Sequence, residues 1–479
     1  MEPGIHIHLI GISGSGLSAV ARVLLERGFK VSGSDRQLSS LTSSLKDMGA
    51  AIYSGHRADN IEGADLIVRS SAVSDTNVEV VAAREKGIPV LKRSEFLFNL
   101  MDGYLGIAVA GSHGKTTTTA MIAWMLSGMG FDPSFIIGGL SKNLGTNAHA
   151  GISRYFVIEA DEYDRMFLGL RPDIAVITAV EHDHPDLFST PLSYRQAFLD
   201  FTSKIVPGGY LLACTDDRGA AEILKEANPE GVQKASYGTG KSQYRAENLK
   251  VNDMGGYDFE VFFSPAELEL DKAVLTPVSV SLQVPGEHNV RNALAALAVA
   301  HRLEIPLEIA ARILRDFTGT GRRFEVLGEA NEITIIDDYA HHPTEIRATL
   351  AAARARYPDR EVWAVWQPHT YSRTRALFED FASSFSLAHH VVATEVYPAR
   401  EPVEPDYSSR VVVEAMNHPD AHFVADLQGV VHFLLSNLKQ GDVMIVLSAG
   451  DASMIGPQIL TALEERSDND AGNQSQTEI

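Results

Sequence analysis

The sequence predicts an α/β protein of three successive units, each a mostly parallel sheet covered by helices. Short apolar runs of strand length alternate with stretches of 3.6-residue periodicity along most of the chain. Twice, at Gly11–Gly16 and again at Gly111–Gly114, a glycine-rich turn stands between a strand and a helix, the arrangement that seats phosphate groups. A length of 479 residues is too great for one ordinary core and fits two to four domains.

The first unit, residues 1–103, opens with an apolar strand over Ile5 to Ile10, and the turn Gly11-Ile12-Ser13-Gly14-Ser15-Gly16 follows it. Leu17 to Gly28 reads as a helix with a glycine stop, and Lys30 to Ser32 starts a second strand leading to Asp35. Leu66 to Val68 and Pro89 to Leu91 are further strands. The second unit, 104–320, begins with the strand Leu105 to Val109, then Gly111-Ser112-His113-Gly114-Lys115-Thr116 and a helix to about Gly128. Strands at Tyr155 to Ile158 and Ile174 to Thr178 run into acidic residues. Tyr237 to Leu282 alternates and reads as a small antiparallel insertion; an alanine-rich helix covers Asn289 to Arg302. The third unit, 321–464, has strands at Ile333 to Ile336, Val362 to Trp366, His390 to Thr394 and Val443 to Leu447. Trp363 and Trp366 read as packing residues. From Glu464 onward, and as a separate segment over 465–479, polar composition predicts a disordered tail.

Composition narrows the function classes. A formal net charge of −21 argues against non-specific binding to nucleic acid or to an anionic membrane, while leaving room for a local phosphate pocket. Cys214 is the one cysteine, so neither an intrachain disulfide nor a cysteine-held zinc is possible. A reducing, cytoplasmic setting fits. No basic leader precedes Ile5, and the longest apolar runs are strand-sized, so no stable membrane insertion is expected.

The second glycine turn carries the strongest chemistry. Backbone N–H groups of Gly111, Ser112, His113 and Gly114 can face phosphate oxygens at a helix start, Lys115 can neutralise β- and γ-phosphate charge, and the hydroxyl of Thr116 can reach magnesium. Val109 stands where the longer phosphate-loop pattern has glycine. Two acidic stretches follow, Glu159-Ala160-Asp161-Glu162 and Glu181-His182-Asp183-His184, and magnesium prefers such oxygens. Either stretch can equally be solvated loop or helix capping, and the histidine density leaves zinc hydrolysis as a minority alternative. The first turn, with Gly11, Gly14 and Gly16, can seat a pyrophosphate, and Asp35 can meet a ribose or base edge. Tight turning without a ligand is the plain alternative, and hydride transfer the rival function. In the third unit, Asp337-Asp338-Tyr339-Ala340-His341-His342-Pro343-Thr344-Glu345 and Gln367-Pro368-His369 to Arg375 place polar groups at strand ends. Arg373 suits a phosphate or carboxylate through its planar fork, or else a salt bridge.

These motifs, in this order, together with His288-Asn289-Val290-Arg291-Asn292 and Arg322-Arg323-Phe324, resemble the Mur ligase family over residues 5 to 460. The resemblance implies a Rossmann-like N-terminal domain for a UDP-sugar, a phosphate-loop ATPase central domain, and an α/β C-terminal domain that closes over both. It further implies ATP and Mg2+ as cofactors, with Lys115 and Thr117 in the phosphate loop and Thr116, Glu159 and His184 as magnesium ligands. His288 and Asn292 match the adenine-nucleotide segment, Asp338 the ribose side, and Arg323 an interdomain phosphate contact. Ser13, Ser15, Ser70 and Ser71 join Gly11, Gly14, Gly16 and Asp35 as the expected acceptor-binding set. His341, His342 and Arg373 match the face nearest the reacting groups. Within the family the resemblance points to the branch joining L-alanine to UDP-N-acetylmuramate, acting as a monomer or weak homodimer. A ligase that attaches a preformed tripeptide to the same acid is the near alternative, and a nucleotide-regulated binding protein the distant one. Two departures weaken the support for a second magnesium: no lysine occurs in Arg195 to Asp200, and Thr178-Ala179-Val180 replaces the branch's usual Thr-Asn.

Overall fold

In the computed structural model of the chain, residues 4–264 and 277–476 are described. Three sheets follow one another along the sequence, of five, ten and six strands. The first is wholly parallel, with His6–Ile10 between Lys30–Asp35 on one side and Leu66–Arg69 on the other. Strand order therefore reverses beside His6–Ile10, and the Gly11 turn opens at that switch point, where open α/β sheets bind ligands.

The ten-stranded sheet puts Leu105–Ala110 between Ile174–Ile177 and Tyr155–Glu159, all parallel. This is a second switch point, and the phosphate loop opens from it. Tyr244–Val251, Tyr257–Phe263 and Val278–Ser281 pair antiparallel and extend the same sheet, so the expected insertion is continuous with it; residues 265–276 of that stretch lie outside the described residues. Helix Glu287–Arg302 is buried over most of its length because alanines let it lie close against helix Lys115–Gly128 and the sheet.

The third sheet is parallel apart from the antiparallel edge strand Glu325–Ala330. Trp363 and Trp366 are buried on its opposite faces, as strand alternation requires. One apolar core joins the first unit to the central sheet, running from Ile12 and Phe96 to Phe156 and Phe198. The apolar clusters of the third unit contain only residues from Phe324 onward.

Two expectations need correction. Sequence patterning does not find the strands Ala51–Ser54, Ser134–Ser141, Thr146–His149, Glu325–Ala330 and Ala421–Phe423, nor the interior strands Tyr210–Cys214 and Gln233–Gly238. Most are short or polar and lie at or next to sheet edges, while Ser134–Ser141 carries Gly138-Gly139. The tail predicted to be disordered is helical as far as Gln476, in one helix from Ile455; residues 477–479 lie outside the described residues. Ile455, Ile459 and Leu463 anchor that helix in the third core, and a helix once nucleated propagates at low cost.

Candidate active site

The phosphate loop is set by its glycines and by the strand beside it. Gly114 has φ +79°, and a Cβ there would come 2.6 Å from Oδ1 of Asn292, so both conformation and space require glycine. The Ser112 hydroxyl donates to the carbonyl of Glu181 (2.8 Å), and the N–H of Glu181 donates back to it (2.9 Å). Thr178, one of the residues flanking the departure from the family pattern, donates its hydroxyl to the carbonyl of His113 (2.5 Å) and thereby tethers the loop. Lys115 folds back on the carbonyls of Gly111 and Ser112 and reaches the Glu162 carboxylate at 2.9 Å. Burial would lower its pKa, but Glu162, Asp161 and Glu159 raise it above the ordinary value, so the ammonium stays charged.

A cavity of about 320 Å³ lies between the central and third units. Of the residues expected around the nucleotide, His113, Gly114, Thr116, Thr117, His288, Asn292, Arg323 and Asp338 line it. Burial lowers the His288 pKa to about 4, so it presents a neutral ring. Asp338 lines the cavity, but its carboxylate also accepts from the N–H groups of Phe324 and Ala340 (both 2.7 Å). Burial, only partly offset by Arg323, raises its pKa to about 6. The carboxylate thus organises its own strand end as well as facing the cavity.

Charge joins the two units. The ring of His113 bridges Glu181 of the central unit (3.1 Å) and Glu345 of the third (3.2 Å). Burial opposes protonation there, but the two carboxylates prevail and raise its pKa to about 10. Glu345 also stands 3.6 Å from Arg323 and accepts from the N–H groups of His341 and His342 at the start of helix Pro343–Arg356. A glutamate three residues after a helix cap reads in sequence as a capping box, so its cavity-facing oxygen is concealed. The adjacent histidines diverge: His341 bonds the carbonyl of Tyr339 (2.9 Å), whereas His342 caps the helix with Nδ1 and leaves Nε2 buried without a partner among the described residues. Burial lowers both to about 4, so both are neutral near pH 7.

Arg373 corrects an expectation. It does not face an open ligand space: its guanidinium is 3% exposed and holds Asp183 through Nε and Nη2, each at 2.8 Å. The fork meets a carboxylate as expected, but the carboxylate belongs to the central unit. The alternative of a surface salt bridge fails as well, because the pair is buried.

The expected magnesium ligands are brought together in part. The Thr116 hydroxyl and the N–H of Gly138 (2.7 Å) both bond the Glu159 carboxylate, whose pKa burial raises despite Lys115. His184, at φ 54°, stands 3.8 Å from Glu162 and 3.8 Å from Asp183. Buried carboxylates beside a threonine hydroxyl at a phosphate loop suit a small hard cation, so Thr116 and Glu159 fit magnesium, with His184 reached through Glu162. Arg195 turns away to Glu222 and Glu226 and offers the site no support.

At the first turn, the Asp35 carboxylate accepts from the N–H of Ser13 (3.0 Å), so it braces the loop that it was expected to assist. Ser70 packs on Gly11, and Ser71 is exposed at the same crevice. The Ser13 hydroxyl is buried without a hydrogen-bond partner among the described residues. Gly14 starts helix Ser15–Glu26, and Ser15 and Gly16 line a smaller cavity of about 80 Å³ shared with Gly138, Glu159, Asp161 and Arg93. Glu159 therefore stands between the acceptor-side cavity and the phosphate loop. Sequence reading missed Glu162, Glu181, Asp183, Glu345 and Arg93 as site residues; the first four lie inside motifs it had marked.

A lysine-bearing phosphate loop that lines a cavity between the central and third units, with a second cavity beside Glu159, defines an enzyme class of three α/β units that uses a nucleoside triphosphate. The chain belongs to the Mur ligase family. Residues 6–105 match the Mur ligase family catalytic domain, 109–300 the Mur ligase middle domain, and 322–450 the Mur ligase glutamate ligase domain. A UDP-N-acetylmuramate–L-alanine ligase of Roseiflexus sp. (strain RS-1) is 42% identical over 96% of this chain and 100% of its own. A protein of the same name from Geobacter sulfurreducens is 41% identical over 96% and 98%. Among solved structures, the UDP-N-acetylmuramate–alanine ligase of Thermotoga maritima is similar with TM-score 0.78 and 27% identity, covering 96% of this chain and all of that one. A murein peptide ligase of Psychrobacter arcticus has TM-score 0.70 and 26% identity, covering 96% and 99%.

Proposed function

We propose that the chain joins L-alanine to UDP-N-acetylmuramate at the expense of ATP, giving UDP-N-acetylmuramoyl-L-alanine, ADP and phosphate. This product feeds peptidoglycan synthesis and, through it, cell shape and division. The observation that supports the mechanism is that Glu159 lines the smaller cavity and acts by its charge on Lys115, whose neighbours Gly114 and Thr116 line the larger one. The acceptor carboxylate approaches the γ-phosphate from the side of the first glycine loop, forms an acyl phosphate and expels ADP. The alanine amine then attacks the acyl carbon, an amide forms, and phosphate leaves. Bringing a carboxylate to an anionic phosphate needs positive charge, which Lys115 supplies by exchanging Glu162 for phosphate oxygens. Thr116, Glu159 and His184 would hold magnesium, which adds further neutralisation. His341 and His342 add no charge to the face receiving the amine, and Arg373 positions that face through Asp183. Contacts between the central and third units exclude water from the acyl phosphate.

Among the described residues no helix is long and apolar enough to cross a membrane. The one cysteine is buried, with its thiol pKa pushed up to about 11 by burial. We propose, from the family likeness, that the chain works in the cytoplasm as a monomer or weak homodimer. The test is ADP release and product mass with each substrate omitted in turn. Ligation requires acid, ATP and amine together; ADP formation indifferent to both acid and amine would refute it.

A further inference from the structure

Arg93 has no part in the scheme above, yet it occupies the point where the acceptor must pass. It is the first residue of helix Arg93–Met101, and its guanidinium crosses to the first glycine loop. A Cβ on Gly16 would lie 1.4 Å from its Nη1, so the absence of a side chain at 16 makes room for the guanidinium. Among the residues lining the smaller cavity Arg93 is the one cation, opposite the carboxylates of Glu159 and Asp161. It is also four-fifths buried. Its present partner is Asp161, at 3.5 Å, longer than a good charge-assisted hydrogen bond.

An anionic acceptor entering beside two carboxylates meets repulsion unless a cation receives it. Of the two carboxylates lining the cavity, Asp161 is the one paired with Arg93, at a long distance, and it belongs to a loop residue. We propose that Arg93 recognises the reacting carboxylate of the acceptor, and that Asp161 occupies the guanidinium until that carboxylate displaces it. Arg93 thereby determines specificity: it distinguishes the acid from the same nucleotide sugar without a carboxylate. A planar fork suits this task, since bidentate contact fixes the carboxylate plane relative to the phosphate it attacks. This inference rests on the reading of the acceptor as UDP-N-acetylmuramate.

The experiment is calorimetric titration without ATP, using UDP-N-acetylmuramate and, as the probe lacking the carboxylate, UDP-N-acetylglucosamine. Arg93→Gln should weaken the acid by roughly 10- to 100-fold and the probe by much less, the range expected for a lost charge-assisted hydrogen bond. Arg93→Lys should fall between, and Asp161→Asn should tighten the acid. In turnover, KM for the acid should rise while KM for ATP holds. Equal weakening of both ligands by Arg93→Gln and by Arg93→Lys would overturn the assignment, because Arg93 would then serve the phosphates or the fold. Unchanged acid binding would overturn it too. Failure of the unaltered chain to bind the acid would instead refute the proposed function, which separates the two outcomes.

Discussion

At the scale of single residues, the proposed role of Lys115 is tested through its pair with Glu162. Lys115→Ala should reduce ADP formation by about 100-fold or more, the scale seen when a charge-stabilising donor is removed. It also leaves the Glu162 carboxylate buried, although the Tyr194 hydroxyl still donates to it at 3.1 Å. Adding Glu162→Gln should therefore recover melting temperature without recovering turnover; recovered turnover would remove Lys115 from the chemistry. Glu159→Gln should raise the magnesium concentration needed for half-maximal rate while leaving binding of the UDP-sugar acid comparatively intact, and an unchanged magnesium titration would count against it as a ligand. Away from the site, Glu79 is wholly buried beneath the first sheet. Burial alone would raise its pKa, but the His8 ring 3.5 Å away and hydrogen bonds from Ser34 and Asn60 bring it down to about 2 from 4.5. A carboxylate with a depressed folded pKa stabilises above its unfolded value and loses that contribution as pH falls through the folded one. Glu79 should thus give on the order of 3 kcal/mol above pH ~4.5, fading toward pH ~2. Glu79→Gln should flatten acid unfolding across that window in chemical-denaturation curves at stepped pH.

At the scale of elements, the buried Arg373–Asp183 pair ties the short helix Tyr371–Ala376 to the loop before His184. Removing one partner of such a pair costs about 3–5 kcal/mol because the other charge stays buried. Arg373→Met should loosen the third unit, and ADP release should then outrun amide formation as water reaches the acyl phosphate. A preserved ratio of ADP to product would show that closure does not depend on this pair. The same pair marks where sequence reading stops. Strands at both switch points, and the helix ending at Gly128, are legible because apolar period and glycine turns are local properties of the chain. The phosphate loop is legible for the same reason. Arg373 is recognisable as a carboxylate binder, but its partner is 190 residues away, and no local pattern selects Asp183 over the neighbouring acids. His113 presents the same difficulty: the loop glycines draw attention to phosphate, while its two carboxylate partners come from separate units. Arg93 is hidden more thoroughly, since only the absence of a side chain at Gly16, far off in sequence, makes room for it.

At the scale of the whole molecule, the proposed reaction assigns amine choice to closure of the third unit over the central one. One methyl group offers little burial in an open cleft, so discrimination in favour of L-alanine requires an enclosed pocket. With acid, ATP and magnesium fixed, catalytic efficiency should rank L-alanine above glycine and L-serine, with the L-Ala-γ-D-Glu-diaminopimelate tripeptide giving little product. Preference for the tripeptide would reassign the amine and leave the phosphate chemistry standing. The way the units are fastened bears on how such preferences change. The first unit and the central sheet share one apolar core, whereas the third keeps its cores to itself and meets the central unit through ion pairs, a hydroxyl contact from Thr344 to Glu181, ring contacts such as His113 on His342 and Arg400 over Tyr163, and a backbone bond from Gly321 to Leu140. Grafting is therefore asymmetric. A third unit taken from a relative needs matching charges and ring contacts, not a shared apolar core, to seat, so new amine preferences can be acquired by exchange of that segment, while the acceptor half and the nucleotide half must be inherited together.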